Sequence, residues 1–458
     1  MTEHFVALMK VPPMLLALFV GATFCPAAER QTVDSKPEPD VFDVCNFGAT
    51  GNGTNLDTQA IQKALDACGR AGGGTVWFRP GTYLSKPLTL RTKTTLQLDA
   101  GATLKATDEP KDYLPEDVAW DDVLNGSKKG PFTPFISGKD LTDIIIRGQG
   151  TIDGSGAKWW IPAETARSKK SGYTLPRPNL IVLTRVKHLE VAGVTLKNSP
   201  KFHLVPDDCQ NVLIAGVTIL APEHAANTDA IDPSSCRNVL ITNCTIDVGD
   251  DNVAIKAGKK IAGREFACED ITVAGCAFLH GHGMSIGSET DGGVRNVVVK
   301  NCTFQDTENG LRIKSQRGKG GLVENISYSD ITMTKVDPAI TFTCYYMTNS
   351  AKDAAQSSPP KDAGVPSAGE KLPVYRNIRV CNLKATCQKS AGVIFGLPES
   401  CISNVVFENV QISAHTGLAI RNAKGVQFNN SRVLAADGAA FSAENSQVEG
   451  LAPAKKGE

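Results

Sequence analysis

Asn211-Val212-Leu213-Ile214-Ala215-Gly216-Val217-Thr218-Ile219-Leu220 and Asn238-Val239-Leu240-Ile241-Thr242-Asn243-Cys244-Thr245-Ile246-Asp247 carry one pattern twice. A polar residue is followed by alternating apolar residues, then by Gly or Asn with a small residue. The pattern recurs at Asp143-Ile144, His188-Leu189, Asp270-Ile271, Asn296-Val297, Asn325-Ile326, Asn377-Ile378, Asn404-Val405 and Gly425-Val426. The starts at 211, 238, 270 and 296 differ by 27, 32 and 26 residues, a period that signals a solenoid. Each unit holds short Val/Ile-rich stretches of strand period and no adequate helical stretch, so the solenoid is expected to be all-β, a parallel β-helix. In such a coil each strand bonds to its equivalents about 4.8 Å above and below, so residues at equal offset stack. Cys244, Cys276 and Cys302 each lie five positions after the first apolar residue of a unit and are expected to form one inward ladder of thiols.

Outward from these repeats the pattern changes. Residues 55–71 have helical spacing (Ile61, Ala64, Leu65, Cys68) and end at Gly72-Gly73-Gly74, which predicts a short helix capping the open end of the solenoid. Thr75–Phe78 and Thr94–Leu98 read as the first coil strands. Residues 325–377 contain Ser357-Ser358-Pro359-Pro360, read as a surface insertion. The segment 1–28 reads as a signal peptide, with Lys10 ahead of an apolar run over 11–24 and then Ala27-Ala28. That run is short for a membrane span. Residues 29–40 are read as a linker, 41–450 as the β-helix domain and 451–458 as a polar tail. A secreted or periplasmic location follows from that reading.

The chain of 458 residues balances 48 basic against 48 acidic side chains, which gives no global electrostatic case for nucleic acid or an anionic membrane as partner. Any affinity for a charged ligand has to be local. Of thirteen cysteines, twelve remain if Cys25 leaves with the signal, and Cys45 and Cys68 are the pair best placed for a disulfide, joining a first strand to the helix after it.

Four polar clusters fall in four consecutive units: Asn227-Thr228-Asp229, Gly249-Asp250-Asp251-Asn252, Gly281-His282-Gly283 and Arg312-Ile313-Lys314. Their offsets place all four on one side of the solenoid. Adjacent Asp250 and Asp251 can both face a groove only at a bend, which Gly249 permits. With Asp229 one coil away, three carboxylates crowd together, and crowding raises the pKa of at least one. One protonated and one ionised carboxyl is what glycoside hydrolysis requires. A single Asp in a solenoid turn is ordinarily a capped bend, and a single His a turn residue. Their coincidence here with Arg312 and Lys314, which share a strand face, suggests instead catalytic carboxylates beside clamps for an acidic sugar's carboxylate.

These clusters, in this order, resemble the polygalacturonase family of glycoside hydrolases, family 28. The likeness extends to residues 43–106, including Phe47-Gly48-Ala49-Thr50-Gly51, and to Gly148-Gln149-Gly150-Thr151-Ile152-Asp153-Gly154. The resemblance implies a right-handed β-helix hydrolysing α-1,4-galacturonosyl linkages of pectin with inversion. It implies Asp250 as general acid, Asp229 and Asp251 as holders of the attacking water, His282 beside the acid, and Arg312 and Lys314 on a galacturonate carboxylate. Asn227 and one of Tyr345 and Tyr346, of which Tyr346 is chosen, are expected to contact substrate. Inversion implies an acid-to-base separation of roughly 6.5–9.5 Å. Asn252 stands where fungal members carry Cys, which favours a bacterial form, and the His/Arg/Lys set favours homogalacturonan over rhamnogalacturonan; a rhamnogalacturonan or xylogalacturonan hydrolase is the alternative within the pectin-active β-helix enzymes. Endo or exo action is left to the loops around 109–134 and Pro359. No cofactor and no metal are expected, and the protein is expected to be a monomer. The competing readings are a calcium-dependent pectate lyase, which leaves the carboxylates plus His without a role, and a non-catalytic glycan-binding β-helix.

Overall fold

The computed structural model describes residues 40–127, 132–169, 175–258, 267–346, 369 and 371–451. The proposed signal peptide, nearly all of the linker and tail, and the Ser357–Pro360 insertion lie outside them. Strands run from Val41–Asp43 to Val448–Glu449 and pair parallel, each with its equivalent in the next coil. The first apolar residues of the ten repeats form one unbroken column: Ile144, Leu189, Val212, Val239, Ile271, Val297, Ile326, Ile378, Val405 and Val426 pair in that order. All are buried, and each burial of this kind contributes about 1.5–3 kcal/mol. The architecture is a right-handed parallel β-helix.

The polar residue that opens each unit turns the corner. Asp143, His188, Asn211, Asn238, Asp270, Asn296, Asn325, Asn377 and Asn404 all have positive φ, between 54° and 62°, as does Gly425 at 64°. Asn and Asp tolerate this left-handed conformation, which costs other L-residues roughly 1–2 kcal/mol. Their side chains then bond along the solenoid. Asn238 Nδ2 donates to Asn211 Oδ1 at 2.7 Å. Asn296 donates to Asp270 at 2.9 Å, Asn325 to Asn296 at 3.2 Å, Asn377 to Asn325 at 3.1 Å and Asn404 to Asn377 at 2.9 Å.

The expected thiol ladder is present, with Cys244, Cys276 and Cys302 all buried. A second column that the repeat pattern did not expose consists of Cys209, Cys236 and Cys268. There the Cys209 N–H donates to Cys236 Sγ at 3.4 Å and the Cys236 N–H to Cys268 Sγ at 3.3 Å. The proposed Cys45–Cys68 bridge is wrong, for both are free. Cys68 lies on the buried face of the capping helix with Sγ 3.7 Å from Thr94 Oγ1, whereas Cys45 is exposed with Sγ 3.6 Å from the Tyr83 hydroxyl.

The capping helix spans Thr58–Arg70 and buries Ile61, Ala64, Leu65 and Cys68. It starts later than the spacing suggested because Asn52–Leu56 is captured as a strand by Gly81–Ser85. Asp57 at its N-terminus binds Thr50 and Gly51 through their amides, at 2.7 and 3.1 Å, and so fixes the preceding turn. A second helix of the same length, Ala157–Lys169, is inserted between strands and was not legible in the sequence. Its Trp159 meets Tyr113, Trp120 and Phe132 edge-on, with ring centroids 5.4–5.8 Å apart, so the two long insertions of neighbouring coils pack on each other. Among the described residues no helix is long and apolar enough to cross a membrane.

Asn296→Ala removes two rungs of the corner ladder and forces Ala into the left-handed region, with an expected loss of about 1–3 kcal/mol. Asn296→Gly, which keeps the conformation, is expected to lose less, and thermal unfolding midpoints in the order wild type, Gly, Ala check this. A reductant is expected to leave the wild-type midpoint unchanged, since none of the described cysteines is crosslinked.

Candidate active site

In each coil a short bend leads into the strands of a third ladder. Leu204, Ile231 and Val253 are bridged in register, and Val253, Met284, Leu311 and Ile340 continue the same row. Asp229, Asp251 and His282 each lie two residues ahead of their row member, Ile231, Val253 and Met284. They therefore occupy equivalent positions on consecutive coils about 4.8 Å apart. Asp250 precedes Asp251, and Glu308 precedes Leu311 by three. Arg312 and Lys314 project from the strand Leu311–Lys314, next to the strand Met284–Gly287.

The sequence-predicted residues are brought together. Asp250 Oδ1 lies 2.9 Å from His282 Nδ1, and its Oδ2 accepts from the Asn227 amide at 3.2 Å and Asn227 Nδ2 at 3.4 Å. Asp251 Oδ1 accepts from Ser285 Oγ at 2.8 Å and Arg312 Nη1 at 3.4 Å, and its Oδ2 from Lys314 Nζ at 2.6 Å. Arg312 and Lys314 are nearly fully buried against a carboxylate of the protein itself, not spread on a solvated edge. Tyr346 stands over both cations, its ring centroid 5.4 Å from the Arg312 guanidinium carbon and 5.2 Å from Lys314 Nζ. Tyr345 packs on the core.

Gly249 earns its place by close approach. A Cβ there would meet the carbonyl oxygens of Ala225 and Glu223 at 2.5 and 2.6 Å, while its N–H donates to Thr228 Oγ1 at 3.0 Å. The loop bearing Asp229 is thereby pressed against the bend bearing Asp250 and Asp251.

Several site residues carried no repeat signal. Lys256 Nζ lies 3.2 Å from Asp229 Oδ2 and 2.5 Å from Asp232 Oδ2. It stands two residues after Ala254, which pairs with Ser285 and so with Arg312. This is the same strand position that Lys314 holds two residues after Arg312, and this register was the signal that could have exposed it. Glu308 takes the far side of His282, with Oε2 3.1 Å from Nε2. Arg177, at the end of the inserted segment, donates to Asn227 Oδ1 and to the Ala226 carbonyl, both at 2.9 Å, and to the Pro200 carbonyl at 2.8 Å.

Burial disfavours every charge here, and the partners decide which survive. His282 is buried, but Asp250 and Glu308 push it up to about 10. Burial works against the Asp250 carboxylate too, yet the His282 charge and hydrogen bond, with Lys314, bring it well below the usual range. Asp251 is likewise lowered, Lys314 and Arg312 overcoming burial. Asp229 goes the other way: burial, then Asp232 and Asp250, raise it well above an ordinary carboxyl. The crowding expected from sequence thus leaves the raised pKa on Asp229 and not on Asp250. His203, buried in the neighbouring coil, is pushed down to about 4.

Asp250, Asp251 and His282 offer three atoms within 4.8 Å of one another. They suit a metal poorly, because the imidazole is held charged and Asp251 is already bound by two cations. A cleft of about 770 Å³ on earlier coils, lined by Lys86, Lys105, Asp112, Asp153 and Lys158, contains none of these groups.

The sequence matches the model of glycosyl hydrolases family 28 over residues 81–432. The chain belongs to that family. It is 37% identical over 345 residues to an endo-polygalacturonase of Pectobacterium carotovorum subsp. carotovorum, covering 72% of this chain and 81% of that one. The solved polygalacturonase of Erwinia carotovora ssp. carotovora superposes with a TM-score of 0.65 at 30% identity, covering 92% of this chain and all of that one. A family 28 exopolygalacturonase of Yersinia enterocolitica gives a TM-score of 0.72 at 24% identity over 90% and 78% of the two chains, a likeness of fold. The protein is a glycoside hydrolase of the parallel β-helix type.

Nitrogen NMR of labelled histidine is expected to show opposite states at neutral pH, with His282 an imidazolium and His203 neutral. His282→Gln should remove the charged signal and leave the neutral one.

Proposed function

We propose that the protein is an inverting polygalacturonase acting on α-1,4-galacturonan, with Asp250 as general acid and Asp229 and Asp251 as holders of the attacking water. The observation that supports this most is the meeting of three carboxylates from adjacent coils with a matched set of cations. Asp250 and His282 share one proton across 2.9 Å, so the pair titrates as a unit. In the free site that proton rests on the imidazole. A glycosidic oxygen at Asp250 draws it through the carboxyl as the bond to the leaving sugar breaks, and His282 is left neutral.

An oxygen of Asp250 lies within 4.8 Å of one of Asp251, closer than the separation of roughly 6.5–9.5 Å usual for inversion. Retention by attack of Asp251 is nonetheless disfavoured, because both its oxygens are committed to Ser285, Arg312 and Lys314. Asp229 Oδ1, by contrast, is buried with no hydrogen-bond partner among the described residues. It is the acceptor best placed to take a water and, on attack, its proton.

Arg312, Lys314, Tyr346 and Asn227 supply the substrate contacts, and a sugar carboxylate arriving at the two cations shares them with Asp251. Homogalacturonan is the substrate class this favours. The reading of 1–28 as a signal peptide agrees with a polymeric substrate met outside the cell.

The protein is expected to release reducing ends from polygalacturonate in the presence of a calcium chelator, with no unsaturated product. Asp250→Asn should lower turnover on the polymer by about 10²–10⁴-fold but regain much of it on an aryl oligogalacturonide, whose leaving group needs no proton. Asp229→Asn should regain none. Equal losses on both substrates for Asp250→Asn would remove it from the role of acid. Lys314→Ala is expected to cut kcat/KM on galacturonan by tenfold or more, since a charge-assisted contact contributes about 1.5–3 kcal/mol.

A further inference from the structure

Asp229 differs from Asp250 and Asp251 in how its charge is supported. Asp250 has His282 and the Asn227 amide, and Asp251 has Lys314, Arg312 and Ser285. Among the described residues Asp229 has one contact cation, Lys256, and does not have it to itself. The ammonium sits 3.2 Å from Asp229 Oδ2 and 2.5 Å from Asp232 Oδ2, and also 4.2 Å from the centroid of the Phe202 ring. Both carboxyls are almost wholly buried, at 4% and 1% exposure, and the second oxygen of each has no partner among the described residues. Two buried carboxylates thus divide one ammonium, and the one that binds it more closely is not the one in the catalytic row.

We propose that Lys256 is a positioning residue that favours the water-activating ionised form of Asp229, and that Asp232 limits how much of the ammonium's charge Asp229 receives. This rests on the reading of Asp229 as base. The strands around it explain why no other described group does the same. From its own loop Asp229 faces Asp232. From the next coil it faces Asp250, Asp251 and Lys256. From the preceding coil come Lys201, which lies over Phe202 with Nζ at 4.4 Å, and His203, whose ring nitrogen is 3.2 Å from the Asp229 carbonyl and which stays neutral. From the inserted segment comes Arg177, already bound to Asn227 and two carbonyls. The three other carboxylates all oppose the Asp229 charge, and Lys256 is the cation in contact to offset them. Burial and the neighbouring carboxylates also raise Asp232, to about 6, against the pull of Lys256. Lys256 itself is held charged despite burial by Asp232 and Asp229.

The expected effects have opposite signs. Lys256→Met removes the cation, so the Asp229 carboxyl binds its proton more tightly and the acidic limb of kcat/KM moves to higher pH, by at least one unit at the usual strength of such a pair. Asp232→Asn removes the competing charge and releases the ammonium to Asp229, so the same limb moves to lower pH. Lys256→Arg keeps a cation and keeps the limb within a few tenths of a unit of wild type. A role confined to holding the fold lowers the whole profile and the melting temperature without moving the limb. The test is the pH profile of kcat/KM on oligogalacturonide for the three variants, with Asp229→Asn alongside. Limbs displaced in opposite directions by Lys256→Met and Asp232→Asn support the proposal. Limbs unmoved, or moved the same way, overturn it. Should Lys256→Met fail to fold, Lys256→Gln, which keeps a polar side chain but removes the charge, takes its place in the comparison. An Asp229→Asn variant that keeps near wild-type turnover at its optimum overturns the base assignment itself. An inactive one with unmoved limbs elsewhere leaves that assignment standing and removes only the role of Lys256.

Discussion

Each residue in this fold takes its neighbours from the residue at the same offset one coil away. Parallel in-register pairing sets that distance near 4.8 Å, and the left-handed corners at Asn211, Asn238, Asn296 and their equivalents keep the register by restarting every coil at the same angle. Apolar columns, the corner ladder and the thiol columns follow from this one constraint. So does the site, because the positions two residues ahead of Ile231, Val253 and Met284 present Asp229, Asp251 and His282 to one another.

The constraint has an electrostatic consequence. Acidic residues at equivalent offsets are stacked whether or not their charges are compatible, so the groove becomes a small cell of buried carboxylates, each needing a nearby cation. The chain has no net charge, yet Arg177, Lys201, Lys256, His282, Arg312 and Lys314 are gathered here. The protonation of each carboxyl is set by the cation that reaches it from a later coil, and in the proposed mechanism that difference permits unlike roles for like side chains.

The β-helix was legible because it is written as a repeat, and all ten predicted starts stand in one column. Asp229, Asp250, Asp251, His282, Arg312 and Lys314 were legible as a cluster because they fall in four consecutive units, each after the same strand. What the sequence concealed depends on cross-coil neighbours outside the obvious pattern. Lys256 and Asp232 look like ordinary strand residues until the bridges through Ile231 and Ser234 align them. Cys45 and Cys68 are near in sequence but point to different surroundings. The location of the most raised carboxyl, Asp229 instead of Asp250, follows from burial and from which cation reaches which oxygen, neither of which spacing alone encodes. The helix Ala157–Lys169 escaped because Pro162 and its mixed faces hide helical period.

The chemistry proposed for this arrangement turns on a water held by Asp229 attacking while Asp251 stays locked to its cations. Proton NMR of the sugar released from an oligogalacturonide, recorded before mutarotation, reads this directly. The account predicts that the β-anomer of the new reducing end appears first and the α-anomer only later. An α-anomer appearing first would mean that a carboxylate of the protein attacks the sugar, and would contradict it.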